Sequence, residues 1–209
     1  MLSRELLGEL YDEFTATVSG LSDAELERPS RADAWRLRHL LFHQLLDAQR
    51  ALVAFGTGAP AGAEPDVDAV TYWRPFRPSH GDGGAAHARF VVRAAEAYDD
   101  PRVLVGVWSE TAAAAARVAA GADPAGLIVT QGHVIAVPDF VSTLVVEATV
   151  HLLDAYGVPP AGALAHTRGV LEGIHGAPLP EPPDAPDADV ILRATGRLPS
   201  DAPAYPLLG

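Results

Sequence analysis

Cysteine is absent from the 209 residues, and with it go disulfides, thiolate metal ligands, iron-sulfur clusters and a cysteine nucleophile. Any thiol chemistry must use a thiol borrowed from solution. Lysine is absent too: all 15 basic residues are arginine, so no Schiff base to pyridoxal phosphate or to a carbonyl substrate can form. The formal charge is -12, and no arginine cluster interleaved with aromatics offsets it. Such a field repels phosphate backbones, so nucleic acid is not an expected partner. No apolar run approaches the ~20 uninterrupted residues of a membrane span, and Met1-Leu-Ser-Arg-Glu opens an amphipathic pattern where a leader would be basic and then apolar. A cytoplasmic protein without a membrane partner is expected. Gly-x-Ser-x-Gly, P-loop and dinucleotide fingerprints are missing as well.

What is present suits one sizeable helical domain. Leu6, Leu7, Leu10, Phe14, Val18 and Leu21 follow the 3.6-residue period and predict a helix over 3–19. Ser22 and Glu25 have capping-box spacing for a short helical turn before Pro29. Asp33 is the expected cap of a second long helix from about Trp35 to Phe55. Residues 56–84 turn to Gly, Pro and acidic side chains and predict a long loop packed through Tyr72, Trp73 and Phe76. Helices are expected over 85–98, 101–120, from Pro138 to Asp154, and over 161–175, with a short hairpin in "GLIVTQGHVIAV". The stretch "APLPEPPDAPDAD" reads as a proline-rich linker, followed by a short ordered segment at most. The pattern predicts an all-α, up-and-down four-helix bundle over residues 1–176, with a linker and tail over 177–209 packed on or near it.

Between Pro138 and Leu153 the only ionisable residues are Asp139, Glu147 and His151, and apolar residues fill nearly every other direction around the axis. Such a helix is buried. An unpaired carboxylate there costs several kcal/mol, so Glu147 must be neutralised by protonation, by an arginine or by a metal ion. The four-residue spacing puts Glu147 and His151 on one face, able to share one ion. Glu-x-x-x-His alone reads first as a buried hydrogen-bonded pair. The second long helix adds His39, His43 and Asp47 at four-residue steps, and one of its histidines would complete a two-His, one-carboxylate site with an open position, as catalytic zinc requires. The face bearing His43 also bears Arg36, Asp47 and Arg50, a pattern that a solvated surface and a polar cleft produce alike.

Trp35 followed eight residues later by His43, together with Glu147, His151 and Asp154, "ALAHTRGVLEGIHG" and "ILRATGR", resembles the DinB-like helical bundles of the mycothiol-dependent maleylpyruvate isomerase type. The resemblance touches most of the chain. It implies that His43, Glu147 and His151 bind one divalent metal, usually zinc, with solvent in the remaining place. It also implies a low-molecular-weight thiol cosubstrate, with mycothiol the natural choice if the lysine-free, alanine-rich composition marks an actinobacterial source. The isomerase proper resembles this bundle plus a substantial C-terminal domain, so a substrate other than maleylpyruvate is expected for a chain that ends in a linker and tail.

Further candidates are His39 as a partner of the site or an exposed helix histidine, and Asp154 as the group that orients the His151 ring or a helix-end surface acid. Arg74 and Arg77 would clamp a carboxylated substrate or serve loop packing. Gln131 and His133 would line the pocket or the hairpin surface, and Arg197 is read as a tail-docking ion pair. The expected activity is thiol transfer to, or isomerisation of, a small electrophile. Metal-assisted hydrolysis at the same ligands and a non-catalytic ligand-binding bundle are the alternatives.

Overall fold

The computed structural model describes residues 3–33, 35–76, 83–182 and 184–208, which are mostly helical with one small hairpin. Helix α1 (Ser3–Ser19) buries Leu6, Leu7, Leu10, Tyr11, Phe14 and Val18, the stripe its periodicity aligns. In α2 (Asp23–Leu26) the expected capping box is formed: Glu25 N–H donates to Ser22 Oγ at 3.3 Å and Ser22 N–H to the Glu25 carboxylate at 2.8 Å. Helix α3 (Leu37–Thr57) starts later than Asp33 would allow. Pro29 and Arg36 instead form a bridge, and Ser30 N–H donates to Trp35 O at 2.9 Å, which holds Trp35 outside the helix.

The long stretch after α3 contains a 3-10 helix, Thr71–Phe76, that buries Tyr72 and Trp73. Helix α4 (Gly83–Glu96) follows, then α5 (Pro101–Gly121), whose first turn is capped by Asp100 accepting from Arg102 N–H at 2.8 Å. Strands β1 (Leu127–Thr130) and β2 (His133–Ala136) form the antiparallel hairpin. Its two turn residues, Gln131 and Gly132, have φ of 48° and 83°, as a tight primed turn requires. Helix α6 (Val137–Asp154) begins with Pro138 in its first turn, and α7 (Ala161–His175) ends at Gly176 in the left-handed region.

Helix α1 packs against α5 and α6, and α3 packs against the same two, so the four surround one core. In length and composition α5 would suffice to cross a bilayer; here it packs against α1 and α3 and buries one face through Leu104, Val105, Trp108, Ala112, Ala115 and Ala119. The proline-rich stretch is shorter than its composition suggests. Asp187, Ala188 and Asp189 already form the first turn of α8 (Asp187–Ala194), whose Val190, Ile191 and Leu192 are buried and which packs on α7 and α6. Leu207 and Leu208 join the same core.

Candidate metal centre

From Phe140 to Asp154 every residue is buried except Glu147. Its carboxylate opens into a cavity of about 790 Å³ lined on one side by His43, His87, Trp35 and His151. Glu147 Oε2 lies 3.1 Å from His151 Nε2, one turn along α6, and 3.9 Å from His43 Nε2 on α3. One ligand atom from each of the three residues falls within 4.8 Å of the others. Two helices separated by roughly half the chain thus aim three donors at one point.

The rest of the surroundings hold this arrangement. His151 Nδ1 is 3.0 Å from Asp154 Oδ2, and Asp154 is wholly buried. His43 Nδ1 is 3.3 Å from His87 Nε2. Asp47, a turn after His43, has Oδ1 paired with Arg50, while Oδ2 is buried without a hydrogen bond, 3.6 Å from His43 Nε2. The Trp35 ring packs against the rings of His43, His87 and His151, with centroids 5.0, 6.5 and 6.4 Å away.

Burial by itself would push the Glu147 carboxyl up, but hydrogen bonds and charge from His151 and His43 outweigh it and hold the group well below the usual carboxylate range. Burial would likewise depress His151, yet its bonds to Asp154 and Glu147 prevail and raise it to about 9. His43 goes the other way: burial dominates and takes it down to about 4. The Glu147 charge thus meets a hydrogen-bonded His151 one turn away, the buried pair that the four-residue spacing also allows.

The donor set suits a divalent ion. Ligands about 2.1 Å from a tetrahedral centre stand about 3.4 Å from one another. The two edges from Glu147, 3.1 and 3.9 Å, bracket that spacing, and all three donors lie within 4.8 Å of one another. Two imidazoles and one carboxylate would leave a four-coordinate ion one open position, the donor pattern of catalytic rather than structural zinc. The like-oriented nitrogens also carry the Asp154 and His87 partners that metal-bound histidines use to fix their tautomers.

Of the other predicted residues, Asp154 sits where an orienting carboxylate must, and Gln131 lines the cavity. His39 does not reach it. It is buried rather than exposed, its Nδ1 accepts from Arg36 N–H at 3.2 Å, and its Nε2 faces Glu96 at 3.7 Å, because one helical turn from His43 carries it to the N-terminal end of α3. Arg74 is also turned away. Its neighbours Trp73, Pro75 and Phe76 line the cavity, whereas Arg74 faces a separate small pocket with Gly173 and Ile174. Arg77 lies outside the described residues. His133 pairs with Asp66 at 3.2 Å on the hairpin surface, and Arg197 both pairs with Asp154 and lines the cavity. His87 was not anticipated; a lone histidine in an alanine-rich helix carries no spacing signal. Nor were Arg31, Asp33 and the tail residues Thr195, Gly196, Pro206 and Leu208, all of which line the cavity.

The family model for the mycothiol maleylpyruvate isomerase N-terminal domain matches residues 7–156, the span that holds all three donors. Two solved structures are similar in fold. One is a mycothiol-dependent maleylpyruvate isomerase, with 16% identity and a TM-score of 0.63; the other is a histidine-to-alanine mutant of such an isomerase, with 15% identity and a TM-score of 0.66. Each comparison covers 94% of this chain and 88% of the solved one, so the expected shortfall of a substantial C-terminal domain is not seen. No curated protein sequence matches the chain significantly.

Proposed function

The chain belongs to the mycothiol maleylpyruvate isomerase N-terminal domain family, and on that premise we propose that it uses a divalent ion, zinc by its donor set, to activate a low-molecular-weight thiol such as mycothiol against a small electrophile. The observation that carries this reading is the convergence of His43, Glu147 and His151 within 4.8 Å on the wall of a cavity with room for both reactants. An ion held there supplies one thing, a thiol pKa pulled below the ~8.5 of a free thiol, so that thiolate is abundant at neutral pH.

The chain's own residues supply the rest. Asp154 fixes the orientation of His151, and His87 that of His43. Trp35 and Trp73 give the cavity an apolar, partly water-shielded wall beside the donors. With no cysteine in the chain, no internal thiol competes for the open position. In transfer, the new carbon-sulfur bond is the end of the reaction, with a proton or leaving group closing the balance. In isomerisation, conjugate addition is followed by bond rotation and elimination, which returns the thiol unchanged.

The test uses cobalt-substituted protein titrated with mycothiol or another small thiol. A sulfur-to-cobalt charge-transfer band together with thiol-dependent turnover of an electrophile is the expected result. Turnover that ignores thiol would make the protein a hydrolase, and absence of both band and turnover would leave a ligand-binding bundle.

A further inference from the structure

We propose that Arg197 is a positioning residue for the metal centre, coupling the docking of the C-terminal tail to ion binding through Asp154 and His151. The proposal rests on the reading of His151 as a ligand. Both oxygens of the buried Asp154 carboxylate are in use. Oδ2 accepts from His151 Nδ1 at 3.0 Å and from Arg197 Nη2 at 3.2 Å, while Oδ1 accepts from Arg197 Nε at 3.2 Å. The guanidinium fork sets the plane of the carboxylate, and the carboxylate sets the plane of the His151 ring. That ring's other nitrogen, Nε2, faces Glu147 and the centre.

Arg197 is itself anchored to the tail. Its Nη1 donates to Thr195 O at 2.6 Å, and its backbone N–H donates to Leu192 O, at the end of α8, at 2.7 Å. Thr195, Gly196, Arg197, Pro206 and Leu208 line the cavity from the tail. Undocking the tail therefore removes that lining and the clamp on Asp154 in one event. The His151 ring would then be steered by a carboxylate with a free edge, and Asp154 would be left buried with one partner fewer.

The coupling must act in both directions. An ion on Nε2 confines the imidazole proton to Nδ1, which keeps Asp154 an oriented, ionised acceptor for the guanidinium. Whatever factor the docked tail contributes to ion affinity, the bound ion returns to tail docking. The full cavity is thus favoured when the centre is loaded.

The experiment measures zinc affinity by chelator competition for the wild type, Arg197→Met and Leu208→Ala, with hydrogen exchange of the Gly196 and Arg197 amides followed with and without zinc. Leu208→Ala loosens the apolar side of the tail without touching Asp154. Expected are an affinity loss of about tenfold in Arg197→Met, in line with disrupted outer ligand partners, a clearly smaller loss in Leu208→Ala, which loosens the tail but keeps the clamp, and zinc-slowed exchange in the wild type and Leu208→Ala but not in Arg197→Met. Equal losses in the two variants would mean packing and not positioning, and wild-type tail exchange indifferent to zinc would overturn the coupling even if Arg197→Met failed to fold. A wild type that holds no zinc would instead defeat the metal reading itself, and the two failures are told apart by that first measurement.

Discussion

His87 Nε2 stands 3.3 Å from His43 Nδ1. If His43 gives its Nε2 lone pair to an ion, its proton sits on Nδ1, and His87 must receive that proton's hydrogen bond with an unprotonated Nε2. Partial desolvation, helped by the Arg50 charge and opposed by that of Glu147, lowers the His87 pKa, which favours the neutral form. His87→Ala is expected to weaken zinc affinity by about tenfold with helix content unchanged. His87→Gln, which offers a carbonyl oxygen as acceptor, should recover most of it. Chelator competition on the two variants checks this, and wild-type affinity in His87→Ala would separate His87 from the centre.

Removing a donor outright should do more. Alanine at His43, Glu147 or His151 leaves two ligands, too few for a zinc site that already keeps one position open. Each variant is expected to lose nearly all bound zinc after dialysis while keeping its helical circular dichroism. Elemental analysis per chain is the measurement. Unchanged zinc in all three would show that the ion, if any, binds elsewhere.

Ion binding and protons compete at one ligand and not at the other. His151, held up to about 9, carries a proton in the metal-free chain at neutral pH, whereas His43, pushed down to about 4, does not. Loading between pH 7 and 8 should release about one proton per ion, measurable by calorimetry in buffers of different ionisation enthalpy. The stability signs follow from the same shifts. The raised His151 stabilises the metal-free fold fully below its unfolded value of about 6.5, and that contribution is lost as pH climbs through about 9. The depressed Glu147 and Asp154 contribute above the unfolded carboxylate value of about 4, and their share is lost in acid. Metal-free Tm should accordingly decline from pH 6.5 to 9 while the increment added by zinc grows over the same interval. An increment that stays flat there would contradict the proton competition.

Much of this centre could be read in advance because its signal lies in a contradiction. Glu147 and His151 stand in a helix that is otherwise apolar on all sides, and only a compensating partner resolves that. His43 was harder. Its companions Arg36, Asp47 and Arg50 make the same polar face whether it meets solvent or a cleft, and only the tertiary packing shows that Asp47 is buried and that Arg50 lines the cavity. His39 and Arg74 illustrate the opposite error, since proximity in sequence to a site residue says nothing about the direction in which a side chain leaves its helix. The tail residues carry no periodicity, and their place on the cavity wall comes from α8, whose start is concealed in a run that composition marks as linker.

The close approach of α1 to the last turn of α6 passes through Gly157. A Cβ placed there would collide with the fully buried Leu152 and come within 3.1 Å of Thr17 Oγ1 on α1. The Gly157 N–H also closes the helix end by donating to Leu152 O at 2.9 Å, so the backbone cannot swing aside without loosening the turn that carries His151 and Asp154. Gly157→Ala is expected to cost about 1–3 kcal/mol by overpacking. Gly169, exposed within α7, meets nothing within 4 Å of an added Cβ, and Gly169→Ala should stabilise by about 0.5–1 kcal/mol through helix propensity. Denaturant unfolding of the pair gives opposite signs if the contact at Gly157 is as tight as the structure has it. Equal stability of Gly157→Ala and wild type would mean that Leu152 can give way, and that the ring of His151 beside it is held less firmly than its hydrogen bonds require.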